Sequence, residues 1–279
     1  QLLAGGTAGA IARTCVAPIE RVKIIFQVKH GTKSYVYTAQ KIWEKEGVLA
    51  FWKGNSAAVV RVFPYMSITF LAFEEWKRVF RAGGMPVDAA NFVAGSMSGI
   101  CAVTITYPLD VARARLALQF EGVASTTYRG FADVIRTIPR VEGPRALYRG
   151  IGAALAGVAP YQGLKFGAYE ALKRAVGRGD DRNVSATTRV VCGGLAGMMA
   201  QTVIYPLDVV RRRSQTHRGP TAKYKSTVAA LQQIAREEGV VRGLYRGLTL
   251  NYAKAVPNVA LYMTLYDYLK EFLVTKDYT

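Results

Sequence analysis

The stretch VIYPLDVVRRRSQT, residues 203–216, decides how the rest of the sequence is interpreted. It continues an apolar run, contains Pro206, and places Asp208 three residues before Arg211. A proline within a helix removes a backbone hydrogen bond and kinks the helix. One copy of this pattern would be an ordinary kinked helix with a charged end.

The same pattern occurs twice more in the chain. CVAPIERVKIIFQ begins at residue 15 and ITYPLDVARARLA begins at residue 105. In every copy the acid follows the proline by two positions and the base follows it by five. The pairs are Glu20 with Lys23, Asp110 with Arg113, and Asp208 with Arg211. Three kinked helices with matched charges predict that the acid of one helix meets the base of another.

Other features recur at fixed distances from these prolines, so the chain is a threefold repeat. Two glycines lie thirteen and nine residues upstream of each proline, and such spacing permits close helix contact. The glycine pairs are Gly5/Gly9, Gly95/Gly99 and Gly193/Gly197. An EG…[WY][KR]G element begins at Glu46, Glu142 and Glu238, and each repeat closes with an aromatic–acid–x–x–base element. We expect one repeat each in residues 1–82, 87–176 and 186–274.

Composition favours a membrane protein over a soluble basic protein. The chain of 279 residues carries a net charge of +18, yet 51% of its residues are hydrophobic. Six apolar segments are long enough to cross a bilayer as helices. They lie near residues 2–28, 54–80, 91–118, 151–176, 188–214 and 248–273. Three shorter amphipathic stretches, at 35–46, 128–142 and 224–238, predict helices on the membrane surface.

Charged side chains inside the apolar segments predict a polar interior. Arg13, Arg61, Lys165 and Lys254 fall at depths where charge is costly unless it faces a bundle interior or a wet cavity. Four unpaired cations would favour a polyanionic substrate, and arginine suits phosphate through its planar donor fork.

The sequence offers no catalytic or metal-binding pattern. The three cysteines sit at different offsets from the repeat prolines, and the two histidines lack ligand spacing. We find no nucleophile–base pair and no phosphate-cradling Gly-Lys-Ser/Thr loop, so we expect no enzyme, cofactor or metal. A basic membrane scaffold or a nucleic-acid-binding protein is the remote alternative. The charge is spread over all repeats without a recognition motif, so no nucleic-acid partner is expected.

The three ordered motif copies resemble the mitochondrial carrier family over essentially the whole chain. The resemblance implies an all-α membrane protein, with six transmembrane helices in a threefold pseudosymmetric barrel and three short matrix-side helices. It also implies a monomeric, multi-pass protein of the mitochondrial inner membrane that works by alternating access. The WKG and YRG elements resemble the family's cardiolipin sites, where helix N-termini favour phosphate.

The resemblance further implies two gates. The matrix gate would comprise Glu20, Lys23, Asp110, Arg113, Asp208 and Arg211, with Gln27 and Gln215 as braces. The cytoplasmic gate would comprise Glu74, Lys77, Glu170, Lys173, Asp267 and Lys270, with Tyr169 and Tyr266 as braces. Ala117 and Phe73 occupy the remaining brace positions. Because neither side chain can hydrogen-bond, we expect incomplete bracing at both gates.

Substrate residues are expected on the even-numbered long helices, where the repeats differ. Arg61 matches the family's first contact position, and the Gly157-Val158 pair resembles that of adenine-nucleotide carriers. There, a missing side chain would let a flat base approach. Tyr161 and Lys165 follow at helical spacing. The remaining candidates are Lys254, Asn258 and, on the first helix, Arg13.

The combined motifs are most similar to the coenzyme A and adenine-nucleotide carrier branch. Coenzyme A contains a 3′-phosphorylated adenosine diphosphate, which fits an adenine slot beside several cations. We expect exchange of coenzyme A, or adenosine 3′,5′-diphosphate, for adenine nucleotides. An ATP-Mg/phosphate carrier or an ADP/ATP carrier is the alternative, since RRRSQT carries the triple arginine of the latter without its methionines.

Overall fold

The computed structural model describes residues 2–28, 34–119, 128–177, 185–219, 221 and 223–276, and these residues form an all-α fold without strands. Six helices are long: α1 Leu2–Val28, α3 Asn55–Ala82, α4 Val87–Ala117, α6 Ile151–Gly177, α7 Ala186–Thr216 and α9 Leu248–Lys276. Three helices of 12 residues alternate with them: α2 Tyr35–Glu46, α5 Phe131–Glu142 and α8 Thr227–Glu238. The predicted all-α class is confirmed.

The six long helices form a closed ring in chain order. Each contacts the next along the chain, and α9 returns to α1. Counted among the six long helices alone, α1, α4 and α7 are the first, third and fifth, and they are called the odd-numbered long helices below. These three helices also contact one another. Three segments within the described residues qualify as membrane spans by length and composition. These are Val48–Ala82, Val87–Ala117 and Thr188–Thr216.

Length alone makes the other three long helices capable of crossing a bilayer. Helices α1 and α6 have 27 residues and α9 has 29. At 1.5 Å per residue this is roughly 40 Å, against a hydrocarbon core of about 30 Å.

Every long helix contains a proline, including α3, α6 and α9, which are the second, fourth and sixth long helices along the chain. The prolines are Pro18, Pro64, Pro108, Pro160, Pro206 and Pro257. On α3, α6 and α9 the proline follows Arg61, Gly157 and Lys254 by three residues. The three substrate candidates therefore occupy equivalent positions of the three repeats.

The short helices dock through the same two positions. The buried pairs are Thr38/Ile42 in α2, Val134/Ile138 in α5 and Ala230/Ile234 in α8. Each pair packs at the end of its own repeat's odd-numbered long helix, for example Ile42 against Val22 and Ile25. This end of the bundle, which the resemblance assigns to the matrix side, is called the matrix end below.

The repeats differ in the turn that follows each short helix. Val48–Trp52 and Pro144–Tyr148 form tight 3₁₀ turns, whereas Val240–Leu244 forms a wider π turn. The third repeat has one extra residue here, and a π turn accommodates it.

The predicted close contacts at the paired glycines form only in part. A Cβ atom on Gly99 would lie 2.9 Å from Val158 Cγ1, so α4 and α6 approach closely there. A Cβ atom on Gly9 would lie 3.5 Å from Val62 Cγ1, which is an ordinary contact distance. The prediction is wrong for Gly95, Gly193 and Gly197, where an added Cβ atom would have no atom within 4 Å in the described residues.

Candidate functional site

Three ion pairs join the odd-numbered long helices near the matrix end. Lys23 lies 3.2 Å from Asp208, Arg113 lies 2.8 Å from Glu20, and Arg211 lies 2.6 Å from Asp110. Each pair connects a different two of α1, α4 and α7. The six residues therefore form a closed triangle of charges across the bundle, with each acid paired to a base from another repeat.

The two glutamines named as braces behave differently. The Gln215 amide donates to Asp110 Oδ2 at 2.7 Å. Gln27 instead donates to the Tyr205 hydroxyl at 2.9 Å, so its predicted contact with an ion pair is not formed in this conformation. Lys23 is held by a residue that sequence reasoning missed, because its ammonium donates to Asn251 Oδ1 at 2.8 Å.

Asp110 accepts from more groups than a single gate partner. Besides Arg211 and Gln215, its carboxylate lies 3.3 Å from Arg61 Nη1 and 3.4 Å from Arg212 Nη1. The side chain is only 1% exposed. Sequence reasoning overlooked Arg212, although the triple-arginine run signals an additional base on this helix.

A cationic cavity of about 330 Å³ lies directly against this network. Arg13, Arg61, Lys254 and Asn258 line it together with gate residues. Four of the eight predicted substrate residues are thereby brought into one space.

The expectation of four unpaired cations was wrong for two of them. Arg61 lies 3.3 Å from Asp110, and Lys254 lies 3.3 Å from Glu20. Helix packing causes this pairing. The residue three positions before the proline of α3 or α9 lies next to the gate acid of the following repeat. Arg13 has no ion-pair partner within the described residues.

Lys165 is separate from the other substrate candidates. It is exposed and lines neither the cationic cavity nor the second cavity described next. Helical spacing alone therefore did not bring Lys165 into the same space as Tyr161.

A second, more apolar cavity of about 250 Å³ adjoins the first. Gly157, Val158 and Tyr161 line it, and Tyr65 borders both cavities. Tyr65 was not identified from the sequence; the Arg61 guanidinium carbon lies 4.9 Å from its ring centroid.

Gly157 serves helix packing rather than opening a slot at its own position. A Cβ atom there would lie 3.0 Å from Ile204 Cγ2, which is tighter than an ordinary contact. The expected approach of a flat base through the missing side chain therefore needs correction, because α7 already occupies that space. The cavity lies beside this contact, toward Tyr161.

At the opposite end of the bundle, two predicted gate bases each pair with the gate acid of the same helix. Lys77 lies 3.7 Å from Glu74, and Lys173 lies 3.4 Å from Glu170. Lys77 and Lys173 also lie 5.6 and 5.8 Å from the ring centroids of Phe73 and Tyr169. Tyr266 stacks on Tyr262, and the side chains of Asp267 and Lys270 fall outside the described residues.

A further layer of arginines links neighbouring repeats at the matrix end. Each pairs with the glutamate of its own repeat's EG element and donates from Nε to a carbonyl on the next odd-numbered long helix. The sets are Arg21 with Glu46 and Ala117, Arg115 with Glu142 and Gln215, and Arg213 with Glu238 and Gln27. The Nε–O distances are 3.0, 3.1 and 3.1 Å.

Sequence reasoning missed these arginines because they do not share one motif position. Arg115 and Arg213 follow their prolines by seven residues, whereas Arg21 follows Pro18 by three. The available signal was the glutamates, which recur every 96 residues and require a partner.

The pKa of Glu142, which lies outside the membrane-spanning segments, shows how these arginines affect the paired glutamate. Burial on its own would raise its pKa. Hydrogen bonds and charges from Arg115 and Arg149 outweigh burial and lower the pKa below its usual value. The carboxylate therefore remains ionised and holds both guanidinium groups.

A ring of six long helices, joined by ion pairs near one end and containing a cationic cavity, defines a membrane transporter rather than an enzyme. The family model described as "Mitochondrial carrier protein" matches residues 1–83, 88–180 and 182–277. The chain belongs to the mitochondrial carrier family. It is thus a multi-pass transporter of the mitochondrial inner membrane.

Curated relatives cover nearly the whole chain. "Mitochondrial carrier protein CoAc1" of Zea mays is 41% identical, over 98% of this chain and 86% of its own length. "Mitochondrial coenzyme A transporter SLC25A42" of Rattus norvegicus is 41% identical, over 98% and 87%. "Mitochondrial substrate carrier family protein P" of Dictyostelium discoideum is 40% identical, over 98% and 93%.

Proposed function

We propose that this carrier exchanges coenzyme A, or adenosine 3′,5′-diphosphate, for adenine nucleotides. The observation that carries the proposal is the clustering of Arg13, Arg61 and Lys254 around one cavity that adjoins a second, more apolar one. The names of the coenzyme A transporters among the relatives support the same substrate.

The two cavities divide the substrate by chemistry. Arg61 and Lys254 take the diphosphate, since guanidinium and ammonium groups bind phosphate oxygens by charge-assisted hydrogen bonds. Asn258, on the same wall, adds a neutral polar contact. The adenine base enters the cavity beside Val158 and Tyr161, where a ring can stack.

Arg13 is the candidate for the 3′-phosphate. It borders the cationic cavity and has no ionic partner in the part of the chain that the structure describes. Lys165, the other candidate from the sequence, lines neither cavity. The 3′-phosphate distinguishes coenzyme A from ATP and ADP, so Arg13 supplies selectivity between these classes.

Substrate binding opens the matrix gate by exchanging counter-ions. Arg61 and Lys254 are paired with the gate acids Asp110 and Glu20. A phosphate that binds either cation competes with that acid and weakens the triangle of ion pairs. Desolvation offsets much of the attraction within buried pairs, so substrate contacts can tip such a network open.

The opposite, cytoplasmic gate closes as the matrix gate opens. Glu74 and Glu170 would then exchange their partners within one helix, Lys77 and Lys173, for bases on neighbouring helices. Asp267 and Lys270 complete this gate, and Tyr169 and Tyr266 brace it. The two gates together produce alternating access in a monomer.

We also propose that cardiolipin binds at the matrix end. A cavity of about 170 Å³ there is lined by Gly150, Gly152, Tyr224, Ser226 and Thr227. It lies at the start of α6, where free backbone N–H groups favour a phosphate.

The test is a competition panel in liposomes that contain the purified carrier. Coenzyme A and adenosine 3′,5′-diphosphate should both compete for exchange of labelled coenzyme A, and external ADP should drive its release. Strong competition by ATP and ADP, with none by any 3′-phosphorylated compound, would overturn the proposal in favour of an ATP-Mg/phosphate or ADP/ATP carrier.

A further inference from the structure

Two amide side chains that line the apolar cavity, those of Gln162 and Gln201, make no hydrogen bond within the described residues. Asp208 and Arg211 also line this cavity, but they are held by Lys23 and Asp110. Gln162 is exposed, whereas Gln201 is half-buried. Neither amide atom of Gln201 is fully buried, so a ligand that enters the cavity can reach this amide.

The helix geometry places Gln201 beside the expected position of the base. Gln201, Ile204 and Asp208 have helical spacing on α7, and all three line the cavity. Ile204 packs against Gly157 of α6. One turn farther from the matrix end, Gln201 on α7 and Tyr161 on α6 reach the same level. The cavity therefore has an aromatic ring on one wall and a free amide on another.

Comparison of equivalent positions in the three repeats shows that this cavity suits a neutral group. The position three before the proline holds Arg61 and Lys254 in two repeats, and each pairs with a gate acid. The second repeat instead has Gly157 at this position, which provides no cation near Asp208. A phosphate therefore gains less here than in the cationic cavity, whereas an uncharged ring with an N–H group fits.

We propose that Gln201 selects the adenine base by hydrogen bonding to its exocyclic amino group. A carboxamide offers an acceptor and a donor side by side, which complements the amino group and the adjacent ring nitrogen of adenine. Gln201 Oε1 accepts from the amino group and Nε2 donates to that nitrogen. This specificity role rests on the proposed function, because it requires the adenosine part of the substrate in this cavity.

The experiment compares two ligands that differ only in the amino group. Adenosine 3′,5′-diphosphate and purine riboside 3′,5′-diphosphate compete for exchange in liposomes, and each is titrated in a thermal-shift assay. In the wild-type carrier the purine analogue should bind about two- to tenfold more weakly, the range expected for one neutral hydrogen bond. Gln201→Leu should abolish this preference, and Gln232→Leu on the exposed face of α8 should retain it.

A second variant keeps the test decisive if Gln201→Leu does not fold. Gln201→Glu retains the acceptor and should still prefer the ligand with the amino group. Equal binding of both ligands to the wild-type protein, or an unchanged preference in Gln201→Leu, would overturn the role of Gln201. Loss of the preference in a folded Gln201→Glu variant would do the same. No competition by either 3′,5′-diphosphate in the wild-type protein would instead refute the proposed function.

Discussion

Replacing Arg13 by alanine tests which cation reads the 3′-phosphate of coenzyme A. Arg61 and Lys254 in the same cavity already have carboxylate partners at 3.3 Å. Arg13 has none among the described residues, so a phosphate can bind it without displacing an acid. We therefore expect Arg13→Ala to reduce binding of coenzyme A more than binding of dephospho-coenzyme A.

The size of the effect follows from the site. Hydrogen bonds to charged groups contribute about 1.5 to 3 kcal/mol, which corresponds to a ratio of roughly 10 to 150 in affinity. A bare Coulomb energy at about 4 Å and an effective dielectric constant of 20 is about 4 kcal/mol. Desolvation of the phosphate reduces that value, so the wild-type carrier should prefer coenzyme A by about 10- to 100-fold. In Arg13→Ala the preference should fall to about twofold.

The assay is inhibition of labelled coenzyme A exchange in liposomes by each unlabelled form. Lys165→Ala is the matched control, since Lys165 is a cation on another long helix, α6, and lines neither cavity. It should leave the preference within about twofold of wild type, a change that corresponds to about 0.4 kcal/mol. An unchanged preference in folded Arg13→Ala, or its loss in Lys165→Ala, would refute the assignment.

Three other predictions concern the matrix end. A double variant that exchanges the charges of Lys23 and Asp208 should retain more transport than a variant with alanine at either position. The reason is that only the double variant keeps the α1–α7 ion pair. Equal loss of transport in all three folded variants would contradict this pairing. Arg115→Gln should lower the thermal midpoint by roughly 6 to 20 °C, because breaking a buried ion pair costs about 3 to 5 kcal/mol. A shift below about 1 °C would be inconsistent with the observed contacts of Arg115. Acid should remove the stabilisation from Glu142 as pH falls from about 4.5 through its lowered folded-state pKa, because the unfolded chain then binds the proton more readily. Stability measured against pH should therefore fall less steeply in Glu142→Gln than in the wild-type carrier.

The helical architecture could be predicted because its signals are local. Apolar length, proline position and the recurring acid and base are all encoded within a few turns of one helix. The predicted segment 54–80 became Asn55–Ala82, and 91–118 became Val87–Ala117. The short helices at 128–142 and 224–238 begin three residues later than expected, at Phe131 and Thr227. Their final residues, Glu142 and Glu238, agree with the prediction.

Pairing across the bundle depends on distances that no local pattern contains. Arg61 and Asp110 are 49 residues apart, yet their contact makes a candidate substrate cation the counter-ion of a gate acid. Gly157 has a packing role only because Ile204 of α7 fills the adjacent space. Arg21 reaches its equivalent carbonyl from a position one turn away from that of Arg115 and Arg213. The amino-acid sequence determined six long helices and the residues that carry charge. Helix packing decided which charges form ion pairs, because that depends on contacts between distant parts of the chain. Within the described residues it left Arg13 without an ion pair and Gln201 without a hydrogen bond.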